Sequence, residues 1–239
     1  MGECVEFSNS ERQIINTNQK IYDSFNDFIF SSDKKVLSKL IARTMLFEKT
    51  IDVPGDIVEC GVFKGSGILS FLKIKNILSP NSFKKVVGFD MFDSVELINK
   101  LHGIEKETMH TLFESRDFKH TDGYEKTLFE IIKNSGYDES QFELIKGDIS
   151  ITSNEYVNNR PGAKISILYL DMDLSKPTYD ALVSFWDRIT IGGVVVFDEY
   201  AYHQWSESVG VDRFLNERKL SIKSLNFQAP TAYIEKTHS

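Results

Sequence analysis

A chain of 239 residues, 41% hydrophobic and 26% charged, has ordinary globular composition rather than that of a disordered chain, and it is long enough to bury one large core. Its 28 basic and 35 acidic residues leave a net charge of -7, which argues against nucleic acid as a partner, because phosphate-backbone binders carry a basic stripe. Cys4 and Cys60 are too few for a zinc or disulfide framework and suit free thiols in a reducing compartment.

The first residues, MGECVEFSNSER, lack the apolar run of a signal peptide, and Glu6 stands where an N-myristoylation site needs Ser or Thr. No apolar stretch reaches spanning length, so a cytoplasmic protein with no membrane partner is expected. ERQIINTNQKIYDSFNDFIF and SDKKVLSKLIARTMLFEKTI then space apolar residues three and four apart, which predicts two amphipathic helices. They make an N-terminal helical extension over residues 1–54 that either caps the rest or offers a surface to a partner, another copy of the chain included. Pro54 and Gly55 punctuate the pattern, and a single domain is expected over 55–239.

From Gly55 onward short apolar runs alternate with helical patterns. Strands are predicted at 56–62, 84–92, 142–148, 165–171 and 193–199, with crossover helices in SGILSFLKIKNIL, DGYEKTLFEIIKNSG, the segment near 151–160, and PTYDALVSFWDRI. This alternation predicts an α/β fold, a Rossmann-like, doubly wound, mostly parallel sheet with helices on both faces. SLNFQAPTAYIEK adds antiparallel strands at its C-terminal edge. The connection at 93–123 is long for a strand-to-helix link and leaves from a strand end where open α/β sheets bind ligands, so a lid or binding loop is expected there.

Three of the strand ends point to a nucleoside cofactor. VECGVFKGSG follows the first strand and opens a helix whose free amides face outward. The spacing of Gly61, Gly65 and Gly67 departs from G-x-G-x-x-G, which argues against a dinucleotide enzyme. Asp90, at the end of the second strand, is placed to accept from ribose hydroxyls. Gly147 and Asp148 end the third strand at the same rim.

Taken in order, VECGVFKGSG, GFDMFD, KGDI, LYLDMD and GGVVVFDEY resemble a class I S-adenosylmethionine-dependent methyltransferase. The chain is more closely similar to the macrocin-type sugar O-methyltransferases, over about residues 55–215. The resemblance implies that Glu59, Gly61, Gly65 and Asp90 hold S-adenosylmethionine, with Asp148 near the adenine. It also implies a sugar-containing natural product, nucleotide sugar or surface glycan as acceptor.

LYLDMD poses a further question, because Asp171 and Asp173 follow an apolar run and would repel each other unless a positive group waits for them. Asp198 and Glu199 end the neighbouring strand. Hard oxygen donors so placed suit Mg²⁺ or a similar divalent cation; lysines or amides are the alternative. The resemblance points to the metal, since members of the family coordinate a divalent ion with an Asp after the fourth strand and an Asp-Asp pair after the fifth, and this chain has Asp198-Glu199 there. Asp171, Asp198 and Glu199 are thus the candidate metal ligands, with Asp173 beside them. Asp171 and, in the long connection, His120 are candidate general bases. Tyr200, Tyr202, His203 and Trp205 in EYAYHQWSE are candidates for contact with a sugar ring. Two rival functions share parts of this pattern: a metal-dependent methyltransferase for catechol-like phenols, and a non-catalytic cofactor-binding or assembly protein.

Overall fold

The computed structural model describes residues 8–115 and 123–237. Strands β1 (Asp56–Cys60), β2 (Val86–Asp90), β3 (Phe142–Lys146), β4 (Ile165–Leu170) and β5 (Ile189–Phe197) are parallel. With the antiparallel β6 (Lys223–Ser224) and β7 (Ala232–Glu235) they form one sheet of order β3-β2-β1-β4-β5-β7-β6. A parallel sheet is covered on both faces, so its strands run apolar without alternation. All six residues of β4, ISILYL, are accordingly buried.

One face is covered by α2 (Lys35–Lys49), α3 (Ser66–Leu78) and α6 (Tyr124–Asn134), which bring Phe47, Phe71 and Leu128 against Ile57, Tyr169 and Val194. The other is covered by α7 (Ile149–Asn159), α8 (Ser175–Phe185) and α9 (Glu207–Arg218), with Tyr156, Phe185 and Phe214 against Val58, Leu168 and Val195. Phe89 meets Tyr156 and Phe185 edge-on, at centroid distances of 5.4 and 5.3 Å. Burying one such ring is worth about 1.5–3 kcal/mol, which is why the layers do not slide.

The predicted strands overshoot β1 to β4 by one or two residues, at both ends for β2, because the chain turns away after one further ladder bond from Gly61, Gly147 or Asp171. The β5 strand starts earlier than predicted, at Ile189, through a register shift opposite Ile165 and Ile167. The long connection after β2 is partly helical: α4 (Ser94–Lys100) is capped by Asp93, whose Oδ1 accepts from the amides of Val95 and Glu96 at 3.0 and 2.9 Å, and α5 (Gly103–Ser115) follows. The first helix, α1 (Asn9–Phe30), begins with a reciprocal cap between Ser8 and Glu11 and buries none of its side chains. No helix among the described residues is long and apolar enough to cross a membrane.

The order places β1 beside both β2 and β4. The connections run outward in opposite directions from this pair, so a crevice opens above the carboxyl ends of β1 and β4.

Candidate active site

Cys60 and Leu170 are partners in register, and the ladder continues one step further, Asp171 N donating to Cys60 O at 2.9 Å. Gly61 then has to pass the Asp171 backbone. It takes φ 91°, and a Cβ there would lie 1.9 Å from the Asp171 carbonyl oxygen, so only glycine fits the turn. Gly65 is the left-handed N-cap of α3. Gly67 makes room for the Glu59 carboxyl, whose Oε1 would sit 1.8 Å from an added Cβ. The unpaired amides of the α3 N-terminus therefore face the crevice.

Two backbone bonds fix the Asp90 carboxylate at the end of β2: Phe63 N donates to Oδ2 at 2.9 Å and Phe92 N to Oδ1 at 2.8 Å. Asp148 caps α7, accepting from Ser150 N at 3.0 Å, and takes a second bond at 3.1 Å from Lys100 at the end of α4. Glu59 is buried and accepts from Arg43 Nη2 at 2.9 Å, while its Oε2 has no hydrogen-bond partner. Burial pushes its pKa up to about 7 against the pull of Arg43.

The β4 and β5 ends bring the second set of acids together. Leu170 pairs with Phe197, and Asp198 N donates to Leu170 O at 3.0 Å, which sets Asp198 beside Asp171. Helix α2 lies over them with Lys35, Lys39 and Arg43 four residues apart, on one helical face. Lys39 Nζ donates to Asp171 Oδ2 at 2.9 Å and stands 2.7 Å from Asp198 Oδ2. Lys35 pairs with Glu199, and Arg43 with Glu59. The Arg43 guanidinium sits 4.5 Å from the ring centroid of Tyr169, whose hydroxyl donates to Asp198 Oδ1 at 2.6 Å. Much of the positive charge that the acids call for is thus supplied by α2.

That supply falls short. Asp198 Oδ2, Glu199 Oε2 and Glu207 Oε2 are buried with no donor aligned on them. Burial, then the charge of Asp171, raises Asp198 to about 7. Burial followed by Asp171 and Glu199 raises Asp173 to about 8. Asp171 goes the other way: burial opposes its ionisation, but the charge and hydrogen bond of Lys39 hold it below the ordinary carboxylate value. Among the described residues no three His, Cys, Asp or Glu side chains are already drawn into a metal cage. The donor chemistry nevertheless fits a hard divalent ion, because buried carboxylate oxygens of Asp198 and Glu199, at the end of β5, lack hydrogen bonds beside Asp171 at the end of β4, whose carboxylate Lys39 already holds.

The crevice is a cavity of about 1160 Å³, beyond the ~300–1,000 Å³ of a typical small-ligand pocket, and so has room for a cofactor and an acceptor together. Its wall includes Glu59, Gly61, Asp90, Asp148, Asp171 and Glu199, with Met109 and Phe113 of α5 opposite. Asp173 also lines it, although β4 has ended and the residue takes φ 64°. From the aromatic loop, Tyr202 and Trp205 reach the wall, whereas the Tyr200 hydroxyl donates to Asp212 at 2.8 Å and Tyr202 stacks on His203. His120 lies outside the described residues. Lys35, Lys39, Arg43 and Tyr169 were missed in the sequence; the signals were a basic residue at every fourth position of α2 and a tyrosine inside a fully apolar strand, whose hydroxyl needs a partner.

A Rossmann-like sheet with a glycine turn after β1 and an acid at the end of β2, walling a cavity of this size, is a nucleoside-cofactor site, and the family match makes it that of a class I S-adenosylmethionine-dependent methyltransferase. The macrocin O-methyltransferase (TylF) family model matches residues 36–235, and the chain belongs to that family. A curated relative from Streptomyces olivaceus, 8-demethyl-8-(2,3-dimethoxy-alpha-L-rhamnosyl)-tetracenomycin-C 4'-O-methyltransferase, is 24% identical over 209 residues, 79% of this chain and 74% of its own. Among solved structures, the calicheamicin methyltransferase CalS11 matches with a TM-score of 0.73 at 22% identity, covering 98% of this chain and 97% of its own. The O-methyltransferase NovP matches with a TM-score of 0.68 at 20% identity, covering 83% and 79%. The chain is an S-adenosylmethionine-dependent O-methyltransferase.

Proposed function

We propose that the chain transfers the methyl group of S-adenosylmethionine to a sugar hydroxyl of a natural product, nucleotide sugar or surface glycan, assisted by a divalent cation such as Mg²⁺. The observation that carries this reading is the meeting of buried, incompletely satisfied Asp198 and Glu199 carboxylates at the end of β5 with Asp171 at the end of β4, beside the glycine turn. The family supports the reaction, and the tetracenomycin relative, which by its name methylates a rhamnosyl group, supports the acceptor. CalS11, a TDP-rhamnose 3'-O-methyltransferase, agrees with it in fold.

In this reading residues 55–239 are the methyltransferase domain, and residues 1–54 are an extension that contributes to its site. The α3 N-terminus and Gly61, Gly65 and Glu59 shape the place of the methionine moiety, Asp90 accepts from the ribose hydroxyls, and Asp148 lies by the adenine. Asp171, Asp198 and Glu199 would hold the cation, which when bound polarises vicinal hydroxyls and lowers their pKa. Tyr169 keeps Asp198 turned toward the seat through its hydroxyl. Tyr202 and Trp205 line the acceptor's part of the cavity, Tyr202 with its ring already stacked on His203. Asp171, ionised at neutral pH, accepts the hydroxyl proton as the new C–O bond forms and the C–S bond breaks, its electrons returning to sulfur.

The test is methyl transfer to a panel of glycosides and catechols, with Mg²⁺ and with a chelator. Turnover of glycosides that the chelator suppresses is expected. Equal turnover under chelation removes the cation, and preference for catechols removes the sugar. Asp198→Asn should lower kcat by about 10²-fold or more, an effect of some 3 kcal/mol on the barrier, while calorimetry finds cofactor affinity changed by less than about threefold.

A further inference from the structure

Four cations, Lys35, Lys39, Arg43 and Lys49, tie α2 to the sheet through carboxylates, and the ties are unequal. The Arg43–Glu59 pair is buried, at 7% and 2% side-chain exposure, and Glu59 is not among the proposed cation ligands. The lysines one and two turns earlier are more open, at 23% for Lys39 and 35% for Lys35, and both contact proposed ligands. Lys39 stands at 2.9 and 2.7 Å from the two oxygens, Asp171 Oδ2 and Asp198 Oδ2, that a cation between the strands would draw on. Mg²⁺ binds oxygen at about 2.0–2.1 Å, so an ion on the same two oxygens would lie almost on top of the ammonium. Three positive charges that close, in a site largely screened from water, do not coexist.

We infer that Lys39 is a displaceable occupant of the divalent-cation seat: the ammonium neutralises Asp171 and Asp198 until a metal arrives, and metal uptake requires the first two turns of α2 to lift from the strand ends. This rests on the proposal that these acids bind a cation. Lys35 leaves with Lys39, because both sit on the same helical stretch and Glu199 is drawn toward the metal. The Arg43–Glu59 pair stays and acts as the hinge. Lys39 thereby sets the metal affinity, and it protects the empty site, where Asp171, Asp173, Asp198 and Glu199 would otherwise repel one another.

The experiment uses the full chain stripped of metal and Mn²⁺ as the probe, with calorimetric titration of the wild type, Lys39→Met and Lys39→Gln. Either variant should bind Mn²⁺ at least about tenfold more tightly than the wild type, the equivalent of ~1.4 kcal/mol of competition removed. Hydrogen exchange of the wild type should rise in residues 35–42 on Mn²⁺ saturation and stay level in 43–49. Equal or weaker binding by whichever variant folds, or unchanged exchange in the first two turns, overturns the inference and leaves the cation reading standing. No Mn²⁺ binding by any form overturns both.

Discussion

At the scale of single residues, the acids at the rim take partners from other elements as well as from their own turns. Glu59 is the clearest case, since its one strong partner, Arg43, arrives from α2 and leaves Oε2 without a bond. Burial wins over that partner, and the carboxyl titrates at about 7 in the folded chain against an ordinary value of 4.5. Between those two values the folded state holds a proton that the unfolded state has released, so Glu59 stabilises the fold at low pH and that contribution is lost as pH rises toward 7. Without divalent ions, Glu59→Gln should flatten the fall in stability over this window by up to about 1.4 kcal/mol per pH unit. Urea titrations of both proteins from pH 4.5 to 7.5 check this by difference, which removes the opposite contribution of Asp171; parallel curves would show that Arg43 keeps Glu59 ionised throughout.

At the scale of elements, α4 and α5 close one wall of the cavity and are latched at two points. Lys100 reaches Asp148, and Glu105 accepts from Ser206, whose Oγ in turn accepts from Ser175 N at 2.8 Å. Met109 and Phe113 provide most of the apolar anchoring of α5, so the polar latch decides how readily the wall opens. Glu105→Ala should raise hydrogen exchange in 103–115 several-fold, leave α3 unchanged, and raise KM for the acceptor more than for the cofactor; a uniform rise along the chain would mean general loosening instead. The sequence showed this segment as an over-long connection but not as two helices, because Gly103 breaks the pattern and neither piece has a strong apolar face. The core elements were easier to read. SGILSFLKIKNIL is α3 to the residue, and the unalternating runs of β4 and the end of β5 mark strands buried on both faces.

At the scale of the whole molecule, the acids of the site were legible and most of their partners were not. Asp171, Asp198 and Glu199 stood out because carboxylates seldom follow fully apolar strands. Lys35, Lys39 and Arg43 did not stand out, because basic residues on an amphipathic helix ordinarily face water, and their partners lie on other elements, more than a hundred residues away for the two lysines. The two regions meet only when α2 is folded across the sheet. A chain beginning at Gly55 should therefore unfold at lower urea concentration and with a shallower transition than the full chain, as circular dichroism would report; an unchanged midpoint would show that α2 is dispensable. The regular spacing of cations on α2 also has a consequence for how such chains diverge. A strand-end acid cannot be exchanged alone without stranding an ammonium, nor a lysine without leaving a carboxylate unanswered, so substitutions at these positions are expected to accumulate in matched pairs. Attempts to graft a new acceptor preference onto this scaffold are best made with the upstream helix carried along as part of the graft.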